Sequence, residues 1–197
     1  MSSLSVYSFE GITPVVDPSA FVHPSAVLLG DVIVEAGCYI GPGAVLRGDF
    51  GRIVLMQGAN LQDNCVVHSL PDFDCVMEPD SHIGHGAIIH SCRIGRDALI
   101  GMNSVIMDRA VVGEQAYVAA MTFVKIGGSI PPRVLASGVP ARVVRALTDA
   151  DIAGKRAGTA LYHELARRSL RTVRPVPPLA APEPDRARSD WSGFDFG

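Results

Sequence analysis

The amino-acid sequence predicts a mainly β protein, in which a solenoid of short parallel strands is followed by one helix. Three observations predict this fold. An aliphatic residue recurs at every sixth position, small residues hold a second fixed place in the repeat, and glycines that would weaken helices are spread along it. A period of six matches neither 3.5 nor 3.6, so a helical interpretation of the repeat fails.

The first part of the repeat runs without interruption over six periods. Its aliphatic positions are Val16, Val22, Leu28, Val34, Ile40 and Leu46. Leu55, Leu61 and Val67 keep the period in another phase, and the first phase returns at His82, which predicts that His82 occupies a core position. The aliphatic positions after it are Ile88, Ile94, Ile100, Ile106, Val112, Val118 and Val124. The two phase breaks, at residues 46–55 and 67–82, predict loops that leave the coil, where functional residues often collect.

A small residue usually follows each aliphatic position by four. The members of this small position are Ala20, Ala26, Val32, Cys38, Ala44, Cys65, Cys92, Ala98, Ser104, Ala110, Ala116 and Thr122. One bulky and one small inward residue per repeat suit a narrow coil. Three of the four cysteines belong to this set, so they are predicted to be buried, reduced thiols rather than disulfides or nucleophiles. Cys75 falls in a predicted loop.

A different pattern begins where the repeat stops. Thr148 can cap a helix with Asp151 three residues later, and Ile152, Leu161 and Leu165 form an apolar stripe. Beyond this helix, the chain is rich in proline and poor in periodic apolar residues, so it is not expected to fold alone. The predicted organisation is a β-helix domain over residues 1–146, a helix packed on it over residues 147–173, and a Pro-rich tail over residues 174–197.

Composition and charge exclude several classes of function. The chain has 197 residues, a net charge of −3 and a pI near 6.0, so it lacks the basic field that would attract nucleic acid or an anionic membrane. The first residues, MSSLSVYSFEGITP, do not resemble a signal peptide, and no run of about 18 apolar residues predicts a membrane span. We expect a cytoplasmic protein without nucleic-acid or membrane partners.

Over roughly residues 11 to 145, the six-residue pattern resembles the hexapeptide-repeat family. The resemblance implies a left-handed parallel β-helix with three repeats, about 18 residues, in each triangular coil. The handedness comes from the resemblance, because periodicity alone does not determine it.

Three of the six histidines have a spacing that points to a metal shared between chains. His85 and His90 are separated by about 16 Å of extended backbone, so they are not expected to bind one metal within a subunit. His68 and His90 are one coil and a four-residue excursion apart, so they can stack on neighbouring coils. A metal bound by His68 and His90 of one chain and His85 of the next satisfies this geometry. A closed homotrimer repeats the site three times.

Three stretches then resemble the γ-class carbonic anhydrase branch of the hexapeptide family. They are LRGDFGR, GANLQDNCVVH and HIGHGAIIHSCRIG. The resemblance implies that His68, His85 and His90 are zinc ligands, with one ion at each subunit interface and another divalent metal as an alternative. Three neutral imidazoles leave one zinc position open for water, whose pKa falls to about 7.

The same motifs assign roles to five more residues. Gln62 and Asn60 are implied to contact the metal-bound water. Arg47, Asp49 and Asp63 are implied to form an ion network between subunits. These three residues are expected either to hold the trimer together or to take part in catalysis.

Within this branch, the chain most resembles the subgroup of PaaY-like phenylacetate-degradation and CaiE-like carnitine-operon proteins. The likeness lies in YSFEGITPVVDPSAFVHPSAVLLGDVIV, GMNSVIMD, VAAMTFVK and TALYHEL. It implies a thioesterase that hydrolyses an acyl-CoA of aromatic acid degradation by attack of zinc-bound hydroxide. The first alternative is a carbonic anhydrase acting on carbon dioxide and bicarbonate. An acyl-CoA acyltransferase and a non-enzymatic accessory protein of the CaiE type are further alternatives.

Overall fold

A computed structural model describes residues 4–193, which form twenty β-strands, β1 to β20 in chain order, and one helix, α1. The strands wind into a parallel β-helix with three sides. Two long strands, β4 (Val27–Val34) and β6 (Val45–Leu55), bend around one corner and join the first two sides into a twelve-stranded sheet. The third side is an eight-stranded sheet. The predicted fold class is confirmed.

The remaining strands are distributed over the three sides. The first side contains β1 (Ser5–Tyr7), β8 (Val66–His68), β11 (Ile88–His90), β14 (Val105–Ile106) and β17 (Phe123–Val124). The second contains β2 (Val15–Val16), β9 (Cys75–Met77), β12 (Arg93–Ile94), β15 (Val111–Val112) and β18 (Ser129–Ile130). The third contains β3 (Phe21–Val22), β5 (Tyr39–Ile40), β7 (Asn60–Leu61), β10 (His82–Ile83), β13 (Leu99–Ile100), β16 (Tyr117–Val118), β19 (Val134–Ser137) and β20 (Arg142–Ala146). Only the β19–β20 pair is antiparallel within the described chain.

The core is a single column of side chains inside the coil. Most aliphatic positions of the repeat are fully buried there, together with the small residues beside them. Burying one aliphatic side chain contributes about 1.5–3 kcal/mol, and the inward residue of each strand repeats that contribution along the coil. The cysteines at residues 38, 65 and 92 are buried and unpaired, as predicted. Cys75 is buried on β9 rather than lying in a loop.

One part of the predicted core register was wrong. The inward residues of β10 and β11 are Ile83 and Ile89, whereas Ile88 is 42% exposed and His82 points away from the column. The cause is a coil that is one residue short. His82 pairs with Leu99, 17 positions later, while Val27 pairs with Val45, 18 positions later. The missing residue shifts the phase by one, so the residues assigned to the core in β10 and β11 face outward and their neighbours face inward.

Extra residues leave the coil at the corner between the first and second sides. The β4–β6 register shifts between Gly30 and Val32, so that residues 49–52 bulge outward within β6. Residues 69–74 form a second excursion between β8 and β9. These excursions agree with the two predicted phase breaks, and they surround the ends of β8 and β11.

Helix α1 (Asp149–Thr172) packs along the third side, against β3 and β5. It begins after Thr148, which the sequence predicted as its cap. The Thr148 hydroxyl accepts a hydrogen bond from the Asp151 backbone N–H, and the Asp151 carboxylate accepts one from the Thr148 N–H. Such a reciprocal capping box satisfies two backbone donors at the helix start. The described part of the tail, residues 174–193, is mostly exposed, and residues 194–197 of the predicted tail lie outside the described residues.

A buried ion pair fastens the helix to the coil. The Lys155 ammonium lies 2.7 Å from an Asp97 carboxylate oxygen and donates a second hydrogen bond to the Asp80 carbonyl oxygen. Its side chain is 1% exposed. Arg156 binds the other Asp97 oxygen at 2.7 Å. Burial alone would raise the pKa of Asp97, but hydrogen bonds and charge from Lys155 and Arg156 lower it overall, so this carboxylate is ionised.

Candidate metal centre

Strand register brings two of the predicted ligands together. His90 on β11 pairs directly with His68 on β8, and His68 pairs with Arg47 on β6. The three residues therefore lie on consecutive coils, at the corner where the chain makes its excursions. This stacking of His68 and His90 agrees with the geometry predicted from their spacing.

The two imidazoles converge on one another. His68 Nδ1 lies 3.0 Å from His90 Nε2, and each ring has a carboxylate on its other nitrogen. His68 Nε2 is 3.0 Å from Asp49 Oδ1, and His90 Nδ1 is 2.5 Å from Asp108 Oδ1. A neutral imidazole that donates its N–H to a carboxylate presents a lone pair on the other nitrogen. With both rings in this tautomer, the two remaining nitrogens would each offer a lone pair to a metal ion between them.

This arrangement fits a divalent metal. Two nitrogens bound tetrahedrally to zinc at 2.0–2.1 Å would be roughly 3.3 Å apart, close to the observed separation. Burial lowers the pKa of His68, and the nearby Arg47 charge adds to this effect, while Asp49 opposes it. The neutral form that binds metals is therefore favoured at neutral pH. His68 and His90 would hold the ion, with Asp49 and Asp108 orienting the rings.

Arg47 and Phe50 complete this corner. The Arg47 guanidinium lies 2.6 Å from Asp49 Oδ2. The Phe50 ring lies 5.4 Å from the His68 ring, and the Arg47 guanidinium is 5.9 Å from the centre of the Phe50 ring. Burial would raise the pKa of Asp49, but Arg47 and His68 lower it overall. Asp49 therefore stays anionic, as a carboxylate that supports a ligand must.

The other predicted residues lie at a different corner, between the third and first sides. The His85 imidazole is 3.0 Å from Asp63 Oδ2, and both side chains are about half exposed. Gln62 donates a hydrogen bond to Asn60 Oδ1 at 3.1 Å, and its Nε2 atom lies 2.5 Å from His82 Nε2. Asn60 and Gln62 are almost fully buried beneath helix α1.

The eight predicted residues thus form two separate groups in one chain. Arg47, Asp49, His68 and His90 make the first, and Asn60, Gln62, Asp63 and His85 make the second. Within residues 4–193, no three His, Cys, Asp or Glu side chains of a single chain are placed so that they could hold one metal ion.

Sequence reasoning missed Asp108. This residue follows His90 by 18 positions, one regular coil, and the structure places its carboxylate on the His90 ring. The spacing was therefore visible in the sequence. The spacing alone does not show that this aspartate contacts His90, because the contact depends on the orientation of the ring.

His82 lies beside Gln62 and packs against helix α1. Its ring lies 5.1 Å from the Tyr162 ring of helix α1, and its Nδ1 atom is buried without a hydrogen-bond partner in the described chain. Burial lowers the pKa of His82 to about 3, with a smaller effect from the Lys155 charge. His82 is therefore neutral in the folded protein at neutral pH.

This neutral histidine makes the fold sensitive to mild acid. In the unfolded chain His82 takes up a proton near pH 6.5, whereas in the folded chain it stays neutral down to about pH 3. The contribution of His82 to the free energy of unfolding is therefore fully present above pH 6.5 and is lost as the pH falls toward 3. We expect a loss of up to about 1.4 kcal/mol per pH unit from this residue. Urea unfolding at about pH 7, 6 and 5 should show a shallower slope for His82→Gln. An unchanged slope in that variant would show that His82 does not cause the sensitivity.

The coil and its six-residue repeat define a hexapeptide β-helix. Residues 13–48 and 91–125 match the family model described as bacterial transferase hexapeptide (six repeats), and the chain belongs to this family. Within it, the chain is 54% identical over 185 residues to the carnitine operon protein CaiE of Proteus sp. (strain LE138), with 94% of each chain covered. The predicted resemblance to hexapeptide and CaiE-type proteins is confirmed.

Two crystal structures are similar in fold and sequence. One is a Bacillus cereus protein proposed to be an acetyltransferase, with a TM-score of 0.83, 36% identity and coverage of 84% of this chain and 96% of that one. The other is a hexapeptide transferase family protein from Anaplasma phagocytophilum, with a TM-score of 0.81, 35% identity and coverage of 85% and 99%. None of the helical segments within residues 4–193 has the length and apolar character needed to span a lipid bilayer.

Proposed function

We propose that this protein is a metal-dependent hydrolase that cleaves thioesters of coenzyme A. One observation carries the proposal: His68 and His90 converge from neighbouring coils, each with a carboxylate on its far nitrogen. Carboxylate–histidine–metal arrangements of this kind fix the ring orientation and increase the basicity of the ligand. A purely structural histidine pair has no need of two supporting carboxylates.

The third ligand is proposed to come from a neighbouring subunit. His85 is half exposed at the opposite end of the first side, and its Nε2 atom is not committed to a partner among the described residues. A closed ring of three chains would bring the two corners together at each interface. Gln62 and Asp63, which flank the same corner, would then face His68 and His90 of the adjacent chain.

The chain's own groups would do the following in thioester hydrolysis. A zinc ion held by three imidazoles supplies a Lewis acid and an activated water near neutral pH. Asp49 and Asp108 would hold the ligand rings. Gln62 would need to turn its amide from Asn60 and His82 toward the interface in order to orient the attacking water. The water oxygen adds to the thioester carbonyl carbon, the C–S bond breaks, and coenzyme A leaves as a thiolate that takes up a proton. Carbon dioxide hydration would use the same groups.

Acyl transfer from coenzyme A is a second candidate. It is favoured by the two structural relatives, one proposed to be an acetyltransferase and the other assigned to the hexapeptide transferases. In that case, the His68–Asp49 pair would act as a general base on an acceptor hydroxyl or amine, and no metal would be needed.

Metal analysis and parallel assays separate these functions. The purified protein should contain about one divalent ion per subunit, and it should release thiol from phenylacetyl-CoA without an acceptor. His68→Ala should lose both properties, whereas His23→Ala should keep them, because the His23 imidazole hydrogen-bonds to Ser25 in a corner turn, away from the predicted ligands. A metal-free protein that releases thiol only when an amine or alcohol is added would favour the transferase. Carbon dioxide hydration without thiol release would favour the anhydrase.

Asp108 provides a further test of the metal site. Asp108→Asn keeps the size of the side chain and removes the negative charge that lies beside the His90 ring. We therefore expect metal affinity to fall by about 10- to 100-fold. Competition with a chelator measures this change directly. Asp72→Asn, in the exposed excursion after β8, serves as the control. Equal affinities for the two variants would remove Asp108 from the site.

A further inference from the structure

A second candidate site lies at the corner between the second and third sides, away from the histidine corners. Here helix α1 and the turns that precede the third-side strands enclose two adjoining cavities of about 650 and 380 Å³. Both cavities are lined by Asp80, Arg96 and His163, so they form one continuous cleft. Its size is within the usual range for small-molecule sites.

Arginines line both parts of the cleft. Arg167 lines the larger cavity, and Arg156 lines the smaller one together with Asp97. Arg156 is paired with Asp97, and Arg167 with Glu164. Arg96 lines both cavities, and its guanidinium makes no ion pair within residues 4–193; its hydrogen bonds in that range are backbone ones, with Glu78 and Gln115. An unpaired guanidinium in a concave site favours an anion.

A buried hydroxyl provides an independent sign of a ligand. Thr159 on helix α1 lines the smaller cavity and is only 3% exposed, yet its Oγ1 atom has no hydrogen-bond partner within the described residues. Leaving such a group unsatisfied costs about 1–3 kcal/mol. A polar atom placed in the cavity would remove that cost.

Acidic and amide groups also line the cleft, and Asp80 lies in both cavities. Asp80 Oδ1 is 3.3 Å from His163 Nε2, and that nitrogen also lies 3.0 Å from the Gly58 carbonyl oxygen. The Gln57 amide lines the larger cavity with Asp80. A carboxylate repels a phosphate but accepts hydrogen bonds from hydroxyl groups. The cleft therefore combines cationic groups, which favour an anion, with acceptors that favour hydroxyl groups.

We propose that this cleft binds an organic phosphate, of the size of a nucleoside diphosphate. The phosphate would lie in the smaller cavity, against Arg96 and the Thr159 hydroxyl. The hydroxylated part of the ligand would extend into the larger cavity, toward Gln57. This site is separate from the proposed metal centre and does not depend on it.

Isothermal titration calorimetry of the full-length protein tests the proposal with ADP, inorganic phosphate and adenosine as probes. ADP should bind more tightly than either fragment. Arg96→Ala should weaken ADP binding at least about tenfold, as expected for the loss of a charge-assisted hydrogen bond, and Thr159→Val should also weaken it. Arg142→Ala, an exposed arginine on β20, should leave it unchanged.

Two further results decide the question. His85→Ala should bind ADP as the wild type does, so a failure of the metal proposal does not affect this one. The proposal is overturned if neither ADP nor phosphate binds the wild type. It is also overturned if Arg96→Ala and Arg142→Ala weaken binding equally, which would indicate a non-specific charge effect. Thermal melting of each variant confirms that the fold is retained.

Discussion

Replacing His85 with alanine is expected to remove nearly all bound metal and to lower thioester hydrolysis by at least about a thousandfold. The reason is geometric. One chain brings only His68 and His90 together, and His85 lies at another corner, where it contacts Asp63. Without the third imidazole, two ligands remain, which is too few for a stable zinc site.

The same substitution should have little effect on folding. The His85 side chain is 47% exposed, and its contact with Asp63 is at the surface, where ion pairs contribute about 0–1 kcal/mol. In this variant, metal content should therefore fall, while the unfolding midpoint should stay near that of the wild type. Both proteins are unfolded in the presence of a chelator, so that bound metal does not contribute to the midpoint. His23→Ala is the matched control. A His85→Ala protein with full metal content would contradict the assignment.

Replacing Lys155 with alanine should have the largest effect on stability, a loss of about 3 kcal/mol. The substitution leaves Asp97 buried with Arg156 as its remaining cationic partner, and it frees the Asp80 carbonyl oxygen. The helix should loosen from the third side, because this pair joins residues that are 58 positions apart in the chain. Urea unfolding at fixed protein concentration measures the loss.

Two comparisons sharpen this prediction. Arg186→Ala removes an exposed pair with Glu183 and should cost less than about 1 kcal/mol. Lys155→Met combined with Asp97→Asn should be less destabilising than Lys155→Ala, because the buried carboxylate is removed together with its buried partner. If the double variant is as unstable as the sum of its parts, the buried charge is not the source of the effect.

The sequence predicted the coil well because the positions of the repeat are the positions whose side chains are buried. A side chain at every sixth position must enter the same narrow core, so the period alone was enough to assign Leu28, Ile40 and Leu61 to that core. The prediction failed for the strand that contains His82. The repeat is one residue short between that strand and Arg93, and this shortening shifts the phase of the pattern. A single deletion leaves no mark in composition, and Ile88 and Ile89 are equally plausible core residues.

The site could be predicted only in part. The separation of His68 from His90 revealed their pairing, because strand register converts sequence distance into contact. The Lys155–Asp97 pair and the cleft at Arg96 and Thr159 depend on how helix α1 returns to the coil. No local pattern encodes that contact, so sequence reasoning could not find either feature.

Each metal site is proposed to be built from two chains. The most direct test is to mix His68→Ala and His85→Ala subunits in equal amounts, unfold them together and allow them to reassemble. Each variant alone should hold almost no metal. About three quarters of random trimers contain both variants, and each of these has one intact interface of three, so metal content and hydrolysis should recover to about a quarter of wild type. A mixture that stays as empty and inactive as its parents would contradict a site shared between subunits.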